Sequence, residues 1–79
     1  MNAEDLRKVI TSCVNDVVFV LNQKECGITT QVRDYIPIYQ CWCGKKIKEY
    51  KNIDDLFDDF FFDGQSLNDI VFNVDISIV

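Results

Sequence analysis

Residues 41–61, Cys-Trp-Cys-Gly-Lys-Lys-Ile-Lys-Glu-Tyr-Lys-Asn-Ile-Asp-Asp-Leu-Phe-Asp-Asp-Phe-Phe, join a predicted β-hairpin to a predicted amphipathic helix. The hairpin has strands at 35–43 and 46–51, and a tight turn at Gly44-Lys45. Beyond Asn52 the spacing of apolar side chains becomes helical, and they share one face: Ile53, Leu56, Phe57, Phe60 and Phe61. Because a strand pattern and a helix pattern adjoin, the stretch predicts an α+β fold.

The residues before this stretch predict one helix and two strands. Residues 3–14 carry a helical apolar pattern, and Asn2 is positioned to cap it. Residues 17–21 favour a strand because they are β-branched and aromatic, although the same apolar stripe could also continue the first helix. Residues 24–27 predict a turn, and residues 28–33 predict a half-buried strand that pairs with 17–21.

The residues after it predict a short helical turn and a last strand. Gly64 suits the position just past the end of the acidic helix, and Ser66 can cap a turn at 67–70. Residues 72–78 alternate, which predicts a strand with one buried face formed by Phe72, Val74, Ile76 and Ile78. The whole chain, 1–79, is predicted to form one domain of order α-β-β-β-β-α-β, with a small antiparallel or mixed sheet and helices on one face.

The composition predicts a folded protein. Of the 79 residues, 48% are hydrophobic, whereas disordered chains lack apolar side chains. The N-terminus shows no basic region followed by an apolar one, and the apolar run at 17–21 is too short to span a bilayer. We therefore expect a cytoplasmic protein without membrane contact, in which the four cysteines are reduced thiols.

The charges are segregated along the chain. The first 51 residues hold eight basic and six acidic side chains, whereas the last 28 hold seven aspartates and no other charged residue. The formal net charge of -5 argues against a general nucleic-acid-binding or anionic-membrane-binding protein. A polarity of this kind is typical of a protein that contacts an oppositely charged partner.

The acidic helix is the main candidate for that contact. Aspartate is a poor helix former, and like charges four residues apart repel each other, so stability alone does not favour this pattern. We predict a partner-binding surface, for a protein with a basic groove, at Asp54, Asp55, Asp58, Asp59, Phe62 and Asp63. The alternatives are that the aspartates are an ordinary solvated face and that Phe62 turns into the core.

The lysine-rich hairpin is a second candidate surface. Its aromatic and basic side chains suit stacking on single-stranded nucleic acid and contact with phosphate: Trp42, Lys45, Lys46, Lys48 and Lys51. Four lysines would bind weakly and in a salt-sensitive way, so direct nucleic-acid binding is the alternative rather than the main hypothesis. The simpler interpretation is an edge strand that lysines keep from aggregating.

The cysteines and the missing histidine argue against metal and enzyme chemistry. Cys41 and Cys43 share a strand face but have one residue between them, which does not match zinc-knuckle spacing, and Cys13 and Cys26 complete no finger pattern. Without histidine the chain has no general base suited to neutral pH, and it has no glycine-rich phosphate loop. We expect no metal, no cofactor and no enzymatic activity.

The hairpin, acidic helix and last strand, residues 36–79, resemble in layout and charge the small acidic inhibitors encoded by phages. Anti-CRISPR proteins and uracil-DNA glycosylase inhibitors are the nearest types, and a toxin-immunity protein would have a similar layout. The resemblance implies a binding protein that occupies a basic, nucleic-acid-binding site of its partner. Self-association between the basic hairpin of one copy and the acidic helix of the next is a further possibility.

Overall fold

A computed structural model describes residues 2–12 and 15–79 of the chain. The elements follow the order α1 (Ala3–Thr11), β1 (Val17–Leu21), β2 (Lys24–Arg33), β3 (Ile36–Cys43), β4 (Lys46–Tyr50), α2 (Ile53–Asp58), α3 (Leu67–Ile70) and β5 (Ser77–Ile78). The predicted α+β class is confirmed. The strand interpretation of 17–21 is confirmed as well, and the alternative of one long first helix is wrong.

The strands form an antiparallel sheet of order β4-β3-β2-β1-β5. β1 to β4 follow one another as a meander whose connections are two residues long. In the first two of these turns, Asn22-Gln23 and Asp34-Tyr35, every residue has a positive φ, between 51° and 66°. This conformation matches the twist of the flanking strands, and Asn and Asp tolerate it better than most residues.

The first turn therefore lies at 22–23, and the turn predicted at 24–27 is wrong because β2 already begins at Lys24. Gly27 instead has a packing role inside β2. A Cβ atom at this position would lie 2.2 Å from Cζ2 of Trp42, so the indole ring lies directly against the glycine backbone. The glycine marks a close side-chain approach within the sheet and not a chain reversal.

One face of the sheet is covered by the helices, and their buried residues form a single hydrophobic cluster. Leu6 and Ile10 of α1, Leu56 and Phe57 of α2 and Leu67 of α3 are almost inaccessible to solvent. The strands contribute alternate side chains to this cluster, as a sheet with one covered face requires. Their other side chains lie on the uncovered face, where Val20 and Ile47 are 61% and 66% exposed.

The acidic helix is shorter than its pattern predicts. α2 ends at Asp58, because Asp59 takes an extended conformation with ψ of 139°. The helical spacing therefore does not extend to Phe60, which is 66% exposed rather than part of the core. Gly64 does not follow the helix end: it forms a tight turn with Asp63, and this turn joins Phe62 to Gln65 through two backbone hydrogen bonds.

The C-terminal segment is also less regular than predicted. The Ser66 cap and the short helix after it are confirmed, with a reciprocal hydrogen-bond pair between Ser66 and Asp69. The predicted strand at 72–78 is reduced to Ser77–Ile78, which pairs with the start of β1. Phe72 is 71% exposed and Ile78 46% exposed, so the prediction that they are buried is wrong, whereas Val74 and Ile76 are half-buried and pack against the core.

The structure places Phe62 in the core and Phe60 at the surface, and the effect of each side chain on stability can be measured. Phe62 is inaccessible to solvent, and its ring lies 5.5 Å from that of Phe19 and 5.0 Å from that of Phe61. We expect Phe62→Ala to lower the free energy of unfolding by about 3–5 kcal/mol, because removal of a buried ring leaves a cavity in the core. Phe60→Ala should change it by less than about 0.5 kcal/mol.

Urea unfolding of both variants and the wild type provides the measurement. Equal losses of stability for Phe60→Ala and Phe62→Ala would contradict the assignment of Phe62 to the core.

Candidate partner-binding surface

The predicted acidic surface is built around α2. This helix is capped by the residue before it and is held on the sheet by its own apolar side chains. The side chain of Asn52 accepts a hydrogen bond of 2.8 Å from the backbone N–H of Asp54, and Leu56 and Phe57 fix the helix on the sheet. The carboxylates of Asp54, Asp55 and Asp58 thus project from a helix whose opposite face is buried. The two aspartates in the first turn also face the positive end of the helix dipole.

Asp54 is the first of three aspartates that bind a basic residue of the same chain. Its carboxylate forms an ion pair with the guanidinium of Arg7 in α1. The same guanidinium carbon lies 4.8 Å from the centre of the Phe57 ring, which adds a cation–π contact. Asp54 therefore connects α2 to α1, and part of its charge is neutralised within the protein.

Asp59 has the strongest set of internal contacts. Its Oδ2 accepts a hydrogen bond of 2.6 Å from Nζ of Lys48 and one of 2.7 Å from the hydroxyl of Tyr50. The Lys48 hydrogen bond and then that of Tyr50 hold the pKa of Asp59 below its ordinary value. Burial, followed by the hydrogen bond to Asp59, raises the pKa of Tyr50. Asp59 therefore ties the end of α2 to β4.

Asp63 makes a comparable connection at the next turn of the chain. Its carboxylate accepts a hydrogen bond of 2.7 Å from Nζ of Lys24 and one of 3.1 Å from the side-chain amide of Asn22. These hydrogen bonds lower the pKa of Asp63, with Lys24 as the larger cause, and the hydrogen bond with Asp63 raises the pKa of Lys24. The turn at 63–64 is thereby fixed to the turn between β1 and β2.

Asp55 and Asp58 differ from these three. Both are exposed, and neither belongs to an ion pair among residues 2–12 and 15–79. Asp58 accepts one hydrogen bond of 3.1 Å from the neutral side chain of Asn68. Both side chains line an open groove of about 670 Å³ between α2 and β4. Within the predicted surface, these two carboxylates are the ones without an ion pair among the described residues.

The exposed aromatic residue of this segment is Phe60 and not the predicted Phe62. Phe62 is buried in the core and cannot contact a partner, so its place in the predicted partner-binding set is wrong. Phe60 is the exposed aromatic residue of this segment, at 66%. Helical spacing had placed Phe60 on the buried face, so the sequence carried no signal for its exposure.

The alternative nucleic-acid surface is divided between the two faces of the sheet. Trp42 pairs with Ile47 in the β3–β4 register, on the uncovered face, whereas Lys46 and Lys48 pair with Cys43 and Cys41 on the helix-covered side. Lys48 is already engaged with Asp59. Lys45 and Lys51 are exposed at the two ends of β4. The five residues do not form one stacking platform.

The described cysteines are buried on a single face of the sheet. Cys41 and Cys43 share one strand face, as predicted, and this face is the covered one. Cys26 lies opposite Cys43 with the two sulfur atoms 2.9 Å apart. Cys13 lies outside the described residues. Within 2–12 and 15–79, no three histidine, cysteine or acidic side chains are grouped as metal ligands would be. In that same part of the chain no helix has the length and apolar character to cross a membrane.

Comparison with protein-family models, with curated proteins and with solved structures finds no match for this chain.

The two classes of aspartate should respond differently to mutation. We expect Asp59→Asn to lower the free energy of unfolding by about 1 kcal/mol, because it weakens charge-assisted hydrogen bonds that are partly screened by solvent. The matched variant Asp58→Asn, one residue earlier at the end of α2, should change it by less than about 0.5 kcal/mol. Denaturant unfolding at neutral pH compares the two, and a larger effect of Asp58→Asn would contradict the assignment.

The effect of Asp59→Asn should also depend on pH. The pKa of Asp59 is lowered from 3.8 in the folded state, so its contribution is complete above that pH and is lost as the pH falls through the lowered pKa. The stabilities of wild type and Asp59→Asn should therefore converge in acid. A difference between them that stays constant from neutral pH to pH about 2 would show that the carboxylate's charge is not its source.

Proposed function

We propose that this chain is a non-enzymatic binding protein, an inhibitor that acts in the cytoplasm by docking on a basic groove of a partner protein. The binding surface consists of Asp55, Asp58 and Phe60, which we term the acidic docking surface. Asp54, Asp59 and Asp63 contribute to its negative potential while they hold it on the sheet.

The observation that carries this proposal is the division of the aspartates. A surface that served only to hold the fold together would pair its carboxylates internally, as Asp54, Asp59 and Asp63 do. Asp55 and Asp58 are left exposed on a rigid helix, and Phe60 follows them at 66% exposure. An exposed aromatic side chain suits the centre of a protein interface, and carboxylates suit its polar rim.

The chemistry of this surface defines the kind of partner. Carboxylates mounted on a short, well-anchored helix can bind lysine or arginine side chains without refolding, so little ordering entropy is lost. Such contacts raise the association rate and set specificity more than they raise affinity. A groove that normally binds nucleic acid is a suitable target because it presents several basic residues around a cleft.

Inhibition rests on this same geometry. An acidic protein in a basic groove excludes the polyanion that the groove otherwise binds, and it needs no catalytic residue. The resemblance of residues 36–79 to small phage inhibitors in layout and charge is the ground for this version of the proposal. A toxin-immunity protein would use the surface in the same way, with a basic nuclease-type site as its target.

The test uses a double variant and a charge-matched control. The full-length protein is immobilised and exposed to an extract of its native host, and bound proteins are identified by mass spectrometry. Asp55→Asn with Asp58→Asn should lose the partner, whereas Asp34→Asn with Asp75→Asn, which removes the same charge from exposed positions elsewhere, should retain it. We expect binding of the wild type to fall steeply as salt rises.

Two outcomes would contradict the proposal. One is equal retention of the partner by the Asp55/Asp58 variant and by the wild type. The other is a purified partner whose contact surface is acidic or purely apolar, since neither would need these carboxylates.

A further inference from the structure

The cysteines of β2 and β3 form a pair that the proposed function does not use. Cys26 and Cys43 are directly opposite each other in the ladder between the two strands. Their sulfur atoms lie 2.9 Å apart, and the two residues are 1% and 4% exposed. Both are free thiols in this structure.

The backbone at this position has the geometry that a cross-strand disulfide needs. The N–H of Gly44 donates to the carbonyl of Glu25, the residue opposite it, so Glu25 and Gly44 are a hydrogen-bonded pair. Because the two kinds of pair alternate along an antiparallel ladder, the adjacent Cys26–Cys43 pair is a non-hydrogen-bonded one. In such pairs the Cα atoms are about 4.5 Å apart, the closer of the two antiparallel spacings. Disulfides span Cα separations of about 4.4–6.8 Å, so no strand has to move.

The third described cysteine provides an internal comparison. Cys41 shares the covered face with Cys26 and Cys43, but it lies opposite Ile28 and stands diagonal to Cys26. Diagonal neighbours in a sheet are about 7–8 Å apart, which is beyond the reach of a disulfide without backbone movement. The register therefore favours Cys26–Cys43 over Cys26–Cys41.

We infer that Cys26 and Cys43 are a modification site: a thiol pair that a peroxide oxidises to an intramolecular disulfide. Cys43, the more exposed of the two and adjacent to the β3–β4 turn, reacts first. Its sulfur attacks one oxygen of the peroxide, the O–O bond breaks, and one water leaves after proton transfer, which produces a sulfenic acid.

The sulfur of Cys26 then completes the reaction. It attacks the sulfur of Cys43, the S–O bond breaks, and a second water leaves. In total the two thiols lose two electrons and two protons, and one hydrogen peroxide becomes two waters. From the present contact the sulfur atoms need to approach by about 0.9 Å to reach the bonded distance.

Burial of Cys26 makes its attack, the step that closes the disulfide, slow at neutral pH and faster in alkali. Burial, followed by the contact with Cys43, raises the pKa of Cys26 to about 12. Because the thiolate is the reactive form, the rate should rise with pH. The product would join residues that are 17 apart in sequence and would reduce the population of the unfolded state on the order of 100-fold.

The experiment treats the purified full-length protein with hydrogen peroxide at neutral and at alkaline pH and measures its intact mass. We expect a product lighter by two hydrogen atoms that forms faster at alkaline pH, and proteolysis without reductant should yield a peptide linking Cys26 to Cys43. Thermal unfolding of this product should have a higher midpoint than that of the reduced protein.

Variants separate the pair from the other thiols. Cys41→Ala should still give the lighter product, whereas Cys43→Ser should not. Peptide mapping of the wild type decides the question even where a variant fails to fold. A disulfide that includes Cys41 or Cys13, products that only gain oxygen, or no change of mass at either pH would each overturn the inference.

Discussion

The structure depends on the need to cover one face of a four-stranded meander. The two-residue turns fix β1 to β4 in register, and every second side chain then points to the same side. That side is apolar, from Val17 and Phe19 in β1 to Cys41 in β3. The flanking segments are short, so they cover it with three brief helices and with the Phe62 ring rather than with one long helix. Brief helices gain most of their stability from such packing.

The charge segregation of the chain has a structural explanation as well as a functional one. Among the described residues, basic side chains of the first 51 positions form three ion pairs with aspartates of the last 28: Arg7–Asp54, Lys48–Asp59 and Lys24–Asp63. Each of them joins the C-terminal part to the helix or strands formed earlier in the chain. Isolated surface ion pairs contribute little stability, but Asp59 also binds the buried Tyr50 and so fixes where α2 ends. Three of the seven aspartates in this part of the chain are thereby paired within the protein.

The sequence predicted those parts of the fold that depend on local pattern. The α+β class, the strands at 17–21 and 46–51 and the Ser66 cap follow from side-chain period and capping chemistry, which are properties of neighbouring residues. The end of α2 does not, because Lys48 and Tyr50 hold Asp59 in an extended conformation from another element. As a direct result, Phe60 lies at the surface and Phe62 in the core, the reverse of what helical spacing predicts. The turn at 22–23 was missed because its left-handed residues include Gln23, which carries no turn signal.

The candidate surface was predicted as a row of equivalent aspartates, and the tertiary contacts make them unequal. This difference affects the mechanism, because an ion-paired carboxylate must give up its internal partner before it can bind another cation directly. Asp55 and Asp58 have no ion pair to break among the described residues, so we assign the direct contacts with a basic groove to them. The three paired aspartates contribute only through the electrostatic field of the protein. The field reaches about 8–10 Å at physiological salt, which is enough to orient a partner on approach. Removing all the helix aspartates together would therefore confuse loss of binding with loss of stability, whereas removing Asp55 and Asp58 isolates the contact.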